Sequence, residues 1–493
     1  MGCYSDELDK LRMPHGSRVF SPMKWQRAPH LLGRAAWIGS TRALGVLGVR
    51  AQTLQQFRQR FWTATAAMQD DDGLAQELFT IPVVTNPPRA QLRVVHVIGS
   101  LAAGGAERQL VYLARETVRS GKAEARILLT NPLVGASAHY LPLALEGGVT
   151  VEVAGATHDP QAIQALRNDR ALQKRLTQVD PRYRPWVTEL TGEFLRLRPD
   201  VVHAWLDHAN IWSAIAALLT GVPHIVLSTR NVNPSNFPLM DAPYFRAWFL
   251  RLATSPRVRF IGNSRVGAED YAQWMGVSRD RFTIIPNGFD PRAMQVPDEG
   301  ALHTLRAELG LDGRRLVLGV FRIAEEKEPM DFAQAAKEIL RAREDACVLV
   351  AGDGPMRAAL EAHAASIDPT RFRLLGRRND VAALLSIAEV VVHASRKEGT
   401  PNALLEAQAL GCPVVATRGG GTVDAVDDGA SGYLCPVGDT ALLAQRTLEL
   451  LNDDTLRARM SLRARAFVAE RFGLDRMVAE SLACYPAAHG GRR

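Results

Sequence analysis

Cysteine is scarce in this chain and unpatterned. The five among 493 residues, Cys3, Cys347, Cys412, Cys435 and Cys484, form no C-x-x-C pair. That argues against a disulfide framework or a structural zinc site and favours a reducing, cytoplasmic setting. No run of about 18 apolar residues free of charge occurs, so no membrane span is expected. No D-x-D follows a strand where a metal would need it, no lysine stands out as a pyridoxal phosphate site, and no loop has the G-x-G-x-x-G spacing of a dinucleotide site. The expectation is therefore no metal and no cofactor. Neither a nucleic-acid reading module nor a stacking pattern of aromatics is present, so nucleic acid is not an expected partner. Acidic residues are missing altogether between Lys10 and Gln69, where Arg and Lys recur.

What is present has the balance of a globular protein, with 47% hydrophobic and 23% charged residues. The chain is too long for one ordinary core and suggests two or three domains. Its net charge of +7 suits phosphorylated ligands or an anionic membrane surface. Residues 1–89 differ from the rest. Leu31 to Met68 is moderately apolar, carries Trp37 and Trp62, and is interrupted by Gly33, Gly39, Gly45 and Gly48. Two readings stand: a segment lying on an anionic membrane, or a poorly ordered basic extension whose glycines weaken any helix. Asp70-Asp71-Asp72-Gly73 reads as a solvated turn and Asn86-Pro87-Pro88 as a linker.

From Leu92 onward apolar runs alternate with helical stretches. Strands are expected near 92–98, 125–129, 149–153, 201–204, 225–228, 258–261 and 283–285. After a hinge at 292–300 they resume near 316–320, 347–351, 372–375, 390–392, 413–416 and 432–435. Residues 167–197 read as one or two helices divided near Pro181 and Pro185. Such alternation means an α/β chain with doubly wound parallel sheets. The expected division is an extension over 1–89, a first domain over 90–291, a second over 292–472 and a helical tail over 473–493.

The most informative stretch runs from Ser395 to Val415, S-R-K-E-G-T-P-N-A-L-L-E-A-Q-A-L-G-C-P-V-V. It reads as loop, helix and strand, with Thr400 at the N-cap, Pro401 at the first helical position and Gly411 as the stop. Glu398 lies in the loop. Glu406 lies four residues after Asn402, so the two share a helix face, and its side chain leans toward the loop. The helix start leaves N–H groups free at Asn402 and Ala403 and carries partial positive charge. Donors for a diphosphate and acceptors for sugar hydroxyls thus meet in one volume. A capped surface helix with two solvated acids has the same spacing; the flanking glycines, Pro401 and Asn402 favour the site.

Other loops at expected strand ends carry candidates. Gly104 and Gly105, in G-G-A-E-R, would let backbone N–H groups approach a substrate or phosphates closely. His208, at the entry to a helix, could hydrogen-bond a substrate hydroxyl, whereas His203 within its strand reads as core. Arg230 could grip a phosphate or be a plain surface arginine. Arg322 and Lys327 could clamp a diphosphate as its charge grows, or be part of a solvated cluster with Glu325, Glu326 and Glu328. Pro286-Asn287-Gly288 is a tight turn.

In this order, Gly104-Gly105-Ala106-Glu107, His208, Pro286-Asn287-Gly288, Arg322/Lys327, Gly352-Asp353-Gly354-Pro355, Glu398 to Glu406 and Gly432 resemble the retaining, family-4 (group 1) nucleotide-sugar glycosyltransferases of GT-B fold. The resemblance covers Arg93 to Cys484. It implies two Rossmann-like domains facing a cleft, the first for the acceptor and the second for the donor, with a tail helix (about Leu474 to Cys484) crossing back. It implies that Glu406 holds the ribose hydroxyls, Glu398 and His208 contact the transferred sugar, and Arg322, Lys327 and the backbone near Thr400, Pro401 and Asn402 hold the diphosphate. Phe321 and Glu328-Pro329 stand where the family usually has glycines.

The resulting expectation is a metal-independent transferase moving a sugar from a nucleotide sugar, a substrate rather than a cofactor, to an acceptor hydroxyl with retained configuration. The expected setting is bacterial cell-surface polysaccharide or glycolipid synthesis. The partners are the donor, a carbohydrate or lipid-linked acceptor, and an anionic membrane at its inner face. The alternatives are a nucleotide-sugar epimerase or phosphorylase, or a non-catalytic assembly subunit of the same fold.

Overall fold

A computed structural model of the chain describes residues 71–486 apart from 88–89, 158 and 238–240. Both readings of the basic stretch before residue 70 lie outside the described residues. All thirteen expected strands form, most within one or two residues of their expected ends. In the first sheet these are β1 (Leu92–Ile98), β2 (Ala123–Leu129), β3 (Thr150–Val153), β4 (Val201–Trp205), β5 (His224–Thr229), β6 (Val258–Gly262) and β7 (Phe282–Ile284). In the second they are β8 (Arg315–Val320), β9 (Ala346–Ala351), β10 (Phe372–Gly376), β11 (Val390–His393), β12 (Val414–Thr417) and β13 (Gly432–Cys435). Runs such as Ala346–Ala351 and Val390–His393 are buried at every position, as strands covered on both faces require.

Every pairing in both sheets is parallel. The order is β3-β2-β1-β4-β5-β6-β7 in one and β10-β9-β8-β11-β12-β13 in the other. Each sheet therefore reverses direction once, between β1 and β4 and between β8 and β11. Ligands of open parallel sheets bind beyond the carboxyl ends of the strands at such reversals. The loops there are Gly99–Gly104 after β1, Leu206 after β4, Phe321–Glu328 after β8, and Ala394–Pro401 after β11.

The structure differs from expectation in three places. Asp71–Thr80 is a helix, not a turn. Leu74, Ala75 and Leu78 are buried, and Asp72 and Glu77 form ion pairs with Arg251 and Arg175. The stretch after it is no free linker, because the Val84 N–H donates to the Gly221 carbonyl and Asn86 to Asp200. Packing of three apolar residues outweighs the turn preference of an Asp-Gly pair. Second, the region 160–197 holds three helices, Pro160–Asn168, Arg170–Gln178 and Arg184–Leu197. Asp169 divides the first two by capping the second with its carboxylate. Pro185 lies inside the third, in its first turn, where proline is tolerated. Third, the helix of the most informative stretch begins at Asn402, one residue later than its cap pattern suggested.

The tail helix Leu474–Ala483 crosses back to the first domain. Leu474, Met477 and Val478, with Cys484 and Tyr485, join the cluster that holds Val94, Ile98, Val226 and Ile261. Tyr485 Oη is 2.7 Å from His203 Nδ1, and His203 Nε2 is 2.8 Å from Ser228 Oγ. His203 is thus a satisfied core residue. The Phe289 N–H donates to the Phe472 carbonyl at 2.6 Å, fixing where the tail leaves the second domain. Met477 is only 2% exposed, so Met477→Ala should cost about 2–5 kcal/mol. The check is chemical denaturation followed by intrinsic fluorescence; an unchanged midpoint would mean that the tail is not part of that core.

Candidate active site

The four reversal-point loops face one another across a cleft of about 560 Å³, within the range of about 300–1,000 Å³ usual for small-ligand sites. Residues of both domains line it. Gly104, Gly105, Arg230, Arg322, Lys327, Glu398, Thr400, Pro401, Asn402 and Glu406 all do so, and His208 does not.

The second-domain wall is built on two loops tied together. Ser395 Oγ and the Arg396 N–H both donate to the Glu326 carbonyl, at 2.9 and 3.1 Å. This sets Lys327 beside Glu398, and the two form an ion pair. His393 Nε2 lies 2.9 Å from the same carboxylate oxygen. Glu398 is 6% exposed. Burial alone would raise its pKa. The Lys327 charge and the His393 hydrogen bond outweigh that and hold it well below the usual carboxylate range. Arg322 is different: its side chain is 64% exposed at the mouth, paired with Glu326.

The departures noted at Phe321 and Glu328 are visible in this loop. The Phe321 ring turns inward, 5.3 Å from Phe332 and 6.4 Å from His393. Its carbonyl presses on Gly352, where a Cβ would lie 1.9 Å away. Glu328 adopts a left-handed conformation, φ 46°, that glycine takes freely and other residues at a cost. It is held there by an ion pair with Arg396 at 2.6 Å.

The helix Asn402–Ala409 points its start into the cleft, and Pro401, in an extended conformation, takes the cap position. Thr400 does not cap. Its hydroxyl donates to the Asn263 carbonyl of the first domain at 2.6 Å, so the side chain expected to close a helix closes a domain contact. Asn287 reinforces it: its Nδ2 donates to the Thr400 carbonyl at 3.1 Å and to Asn402 Oδ1 at 2.8 Å. Glu406, 8% exposed, forms an ion pair with Arg108 of the first domain.

On the first-domain wall, Gly104 is the extended cap of the helix Gly105–Arg119. A Cβ on Gly105 would lie 2.8 Å from Asn402 Nδ2, so the two helix starts nearly touch. Glu107 sits in that first turn, its pKa raised by burial. Arg230 stacks on Trp205 at 4.9 Å and donates to Asn287 Oδ1. Burial pushes its pKa down to about 9, and among the described residues no carboxylate pairs with it. His208 lies in the first turn behind Leu206, with Nδ1 2.9 Å from the Tyr244 hydroxyl and its ring 4.7 Å from Phe245 and 5.0 Å from Trp212. The helix start places it among these aromatics, where it was expected beside substrate.

Sequence reasoning passed over Arg108, Asn263 and His393 as site residues and took Asn287 for a turn alone. The G-G-A-E-R string held a signal for Arg108, since a cation one turn into a helix that opens on a cleft can face it. Asn263 follows an apolar strand and His393 ends one, and neither carries a comparable pattern.

Two doubly wound domains facing a cleft, with a helix crossing back, define the GT-B fold. A family model described as Glycosyltransferase Family 4 matches residues 103–293, and one described as Glycosyl transferases group 1 matches residues 303–467. The chain is 30% identical over 347 residues to the 2-deoxystreptamine glucosyltransferase of Streptomyces kanamyceticus, covering 65% of this chain and 87% of that protein. It is 27% identical over 409 residues to the Vi polysaccharide biosynthesis protein VipC/TviE of Salmonella typhi, covering 78% of this chain and 70% of that protein. The crystal structure of Anabaena Alr3699/HepE in complex with UDP and glucose matches with a TM-score of 0.65 at 21% identity, over 80% of this chain and all of that one, a likeness of fold. The chain belongs to the family-4, group-1 glycosyltransferases, enzymes that transfer sugars. Among the described residues no helix is long and apolar enough to cross a membrane.

Two outcomes follow from this geometry. A Cβ on Gly399 would lie 2.3 Å from the Arg230 carbonyl and 2.7 Å from Asn263 Nδ2. Gly399→Ala should keep native circular dichroism and lose about 10²-fold in turnover, as a displacement of roughly 1 Å between reacting groups does; full activity would show that the walls need not approach so closely. For Glu398, a depressed carboxylate pKa contributes stability that is complete above the unfolded value of about 4.3 and lost as pH falls below it. The stability gap between wild type and Glu398→Gln should therefore be constant above about pH 5 and shrink below about pH 4. Denaturant midpoints across pH read it, and a gap that widens in acid would contradict the pairing.

Proposed function

We propose that this glycosyltransferase takes a sugar from a nucleoside diphosphate sugar and passes it to an acceptor hydroxyl with retention of anomeric configuration. No metal is required, and the setting is assembly of a bacterial cell-surface polysaccharide or glycolipid. The observation that carries this is the convergence, in one cleft, of a helix start, the Lys327–Glu398 pair and Glu406. The titles of two matched proteins support it: HepE was crystallised with UDP and glucose, and VipC/TviE serves polysaccharide biosynthesis. The acid-free stretch from Lys10 to Gln69 supports an acceptor held at an anionic membrane surface.

In this reading Glu406 accepts hydrogen bonds from the ribose hydroxyls. The diphosphate lies between the N–H groups of Asn402 and Ala403, Lys327 and, at the mouth, Arg322. Gly104 and Gly105 present the opposing helix start. The bond from the anomeric carbon to the diphosphate oxygen breaks, and its electron pair stays on that oxygen. Lys327 and the two helix starts stabilise the charge as it grows. Glu398 is a poor base, because Lys327 and His393 share its Oε1 and keep its pKa low. The stronger base nearby is the departing phosphate oxygen. The acceptor hydroxyl therefore enters from the same face, bonds the anomeric carbon and gives its proton to that oxygen. Entry on the leaving-group face is what retains configuration.

The test is binding and slow hydrolysis of UDP-, GDP- and ADP-sugars in EDTA by wild type and Glu406→Ala, followed by proton NMR of the released or transferred sugar. The expected result is one preferred donor, binding lost by at least about ten-fold in the variant, and a first-formed product with the donor's anomeric configuration. An inverted product would overturn the mechanism, and no donor bound by folded protein would overturn the reading as a whole.

A further inference from the structure

Glu406 is reached from two domains. It stands on the helix Asn402–Ala409 of the second, and its Oε1 accepts from Nη2 of Arg108, which stands on the helix Gly105–Arg119 of the first. Arg108 is the cation that neutralises this carboxylate, and it arrives from a position 298 residues away. The contact uses one oxygen. Oε2 of Glu406 accepts no hydrogen bond from the described residues, and the carboxylate lines the cleft. A carboxylate has about four acceptor positions, so a single guanidinium N–H leaves ample capacity for a pair of vicinal hydroxyls. Tyr112 and Asp290 lie around the far side of the pair, where with Arg108 and Glu406 they line a narrow cavity.

We propose that Arg108 is a positioning residue for Glu406, so that the ribose of the nucleotide is fully recognised only when the first domain meets the second. This rests on the reading of Glu406 as the ribose carboxylate. Nearly buried, that carboxylate needs a countercharge to remain a strong acceptor, and a charged partner on one oxygen fixes the direction of the other. Donor affinity is thereby coupled to domain contact: the acceptor-side wall strengthens the grip on a substrate held by the opposite wall. The contrary arrangement, in which Arg108 competes with ribose for the carboxylate, predicts an effect of opposite sign.

Isothermal titration with UDP, GDP, ADP and their 2′-deoxy counterparts decides between them. The proteins are wild type, Arg108→Ala, Arg108→Lys, Glu406→Gln and the double variant Arg108→Ala/Glu406→Gln, each with its thermal midpoint. For the nucleotide that wild type binds best, Arg108→Ala is expected to weaken binding about ten-fold. The 2′-deoxy form should lose far less, Arg108→Lys should recover most of the loss, and the Ala change should add nothing in the Gln background. Unchanged or tighter binding by Arg108→Ala, equal loss of both nucleotides, or a loss that persists in the Gln background would each overturn the proposal. Should Arg108→Ala not fold, Arg108→Lys and Arg108→Gln carry the same comparison. Failure of wild type to bind any nucleotide overturns this inference together with the proposed function, whereas binding with additive losses overturns this inference alone.

Discussion

A carboxylate that keeps its charge out of water needs a countercharge or hydrogen bonds, and two carboxylates met by cations shape the cleft. Glu398 is met from within its own domain by Lys327, with His393 beside it. Glu406 is met from the other domain by Arg108. Breaking a buried pair on one side leaves the other charge stranded, which costs far more than an exposed pair yields. The loop after β8 is therefore tied to the loop after β11, and the first domain is tied to the second. The sheet reversals bring four loops to the same region, but the charge pairs decide how those loops lie.

The turn Pro286-Asn287-Gly288 is where the parts of the molecule register with one another. Gln109 of the first domain brackets Gly288, accepting from its N–H and donating to its carbonyl. Asn287 reaches Thr400 and Asn402 in the second domain and accepts from Arg230. Phe289 holds Phe472, and Arg476 of the tail donates to the Pro286 carbonyl at 3.1 Å. This one turn thus bonds to the first domain, the second domain and the tail together.

The fold could be read from sequence because both of its signals are local. Runs such as Val390 to Val392 and Cys347 to Ala351 are apolar over the length of a strand, and helical stretches alternate with them. The second-domain half of the site was legible for the same reason: Glu398, the helix start and Glu406 lie within nine consecutive residues. What could not be read is what crosses between distant segments. Thr400 has the residue type of a helix cap, and only the proximity of Asn263 turns its hydroxyl away. His208 has the residue type of a substrate contact, and only the fold shows that its half-buried ring lies against Tyr244, Phe245 and Trp212. Arg108 stands one turn into a helix, and only the position of Glu406, 298 residues away, makes it part of the site. The helix at Asp71–Thr80 shows the same limit, since its turn-like sequence is overruled by apolar packing of Leu74 and Leu78 on the first domain.

The crossing tail has a consequence for how the molecule is made. Leu474, Met477, Val478 and Tyr485 complete a core whose other members are translated hundreds of residues earlier. A growing chain thus emerges with a first domain that has all its strands yet lacks one side of its interior. Meanwhile the second domain can close on its own clusters as soon as it clears the ribosome. The first domain's core is therefore completed only by residues that follow the whole of the second domain in the chain. Without the helix Leu474–Ala483 the second domain keeps its clusters, while the first domain's core lacks one wall.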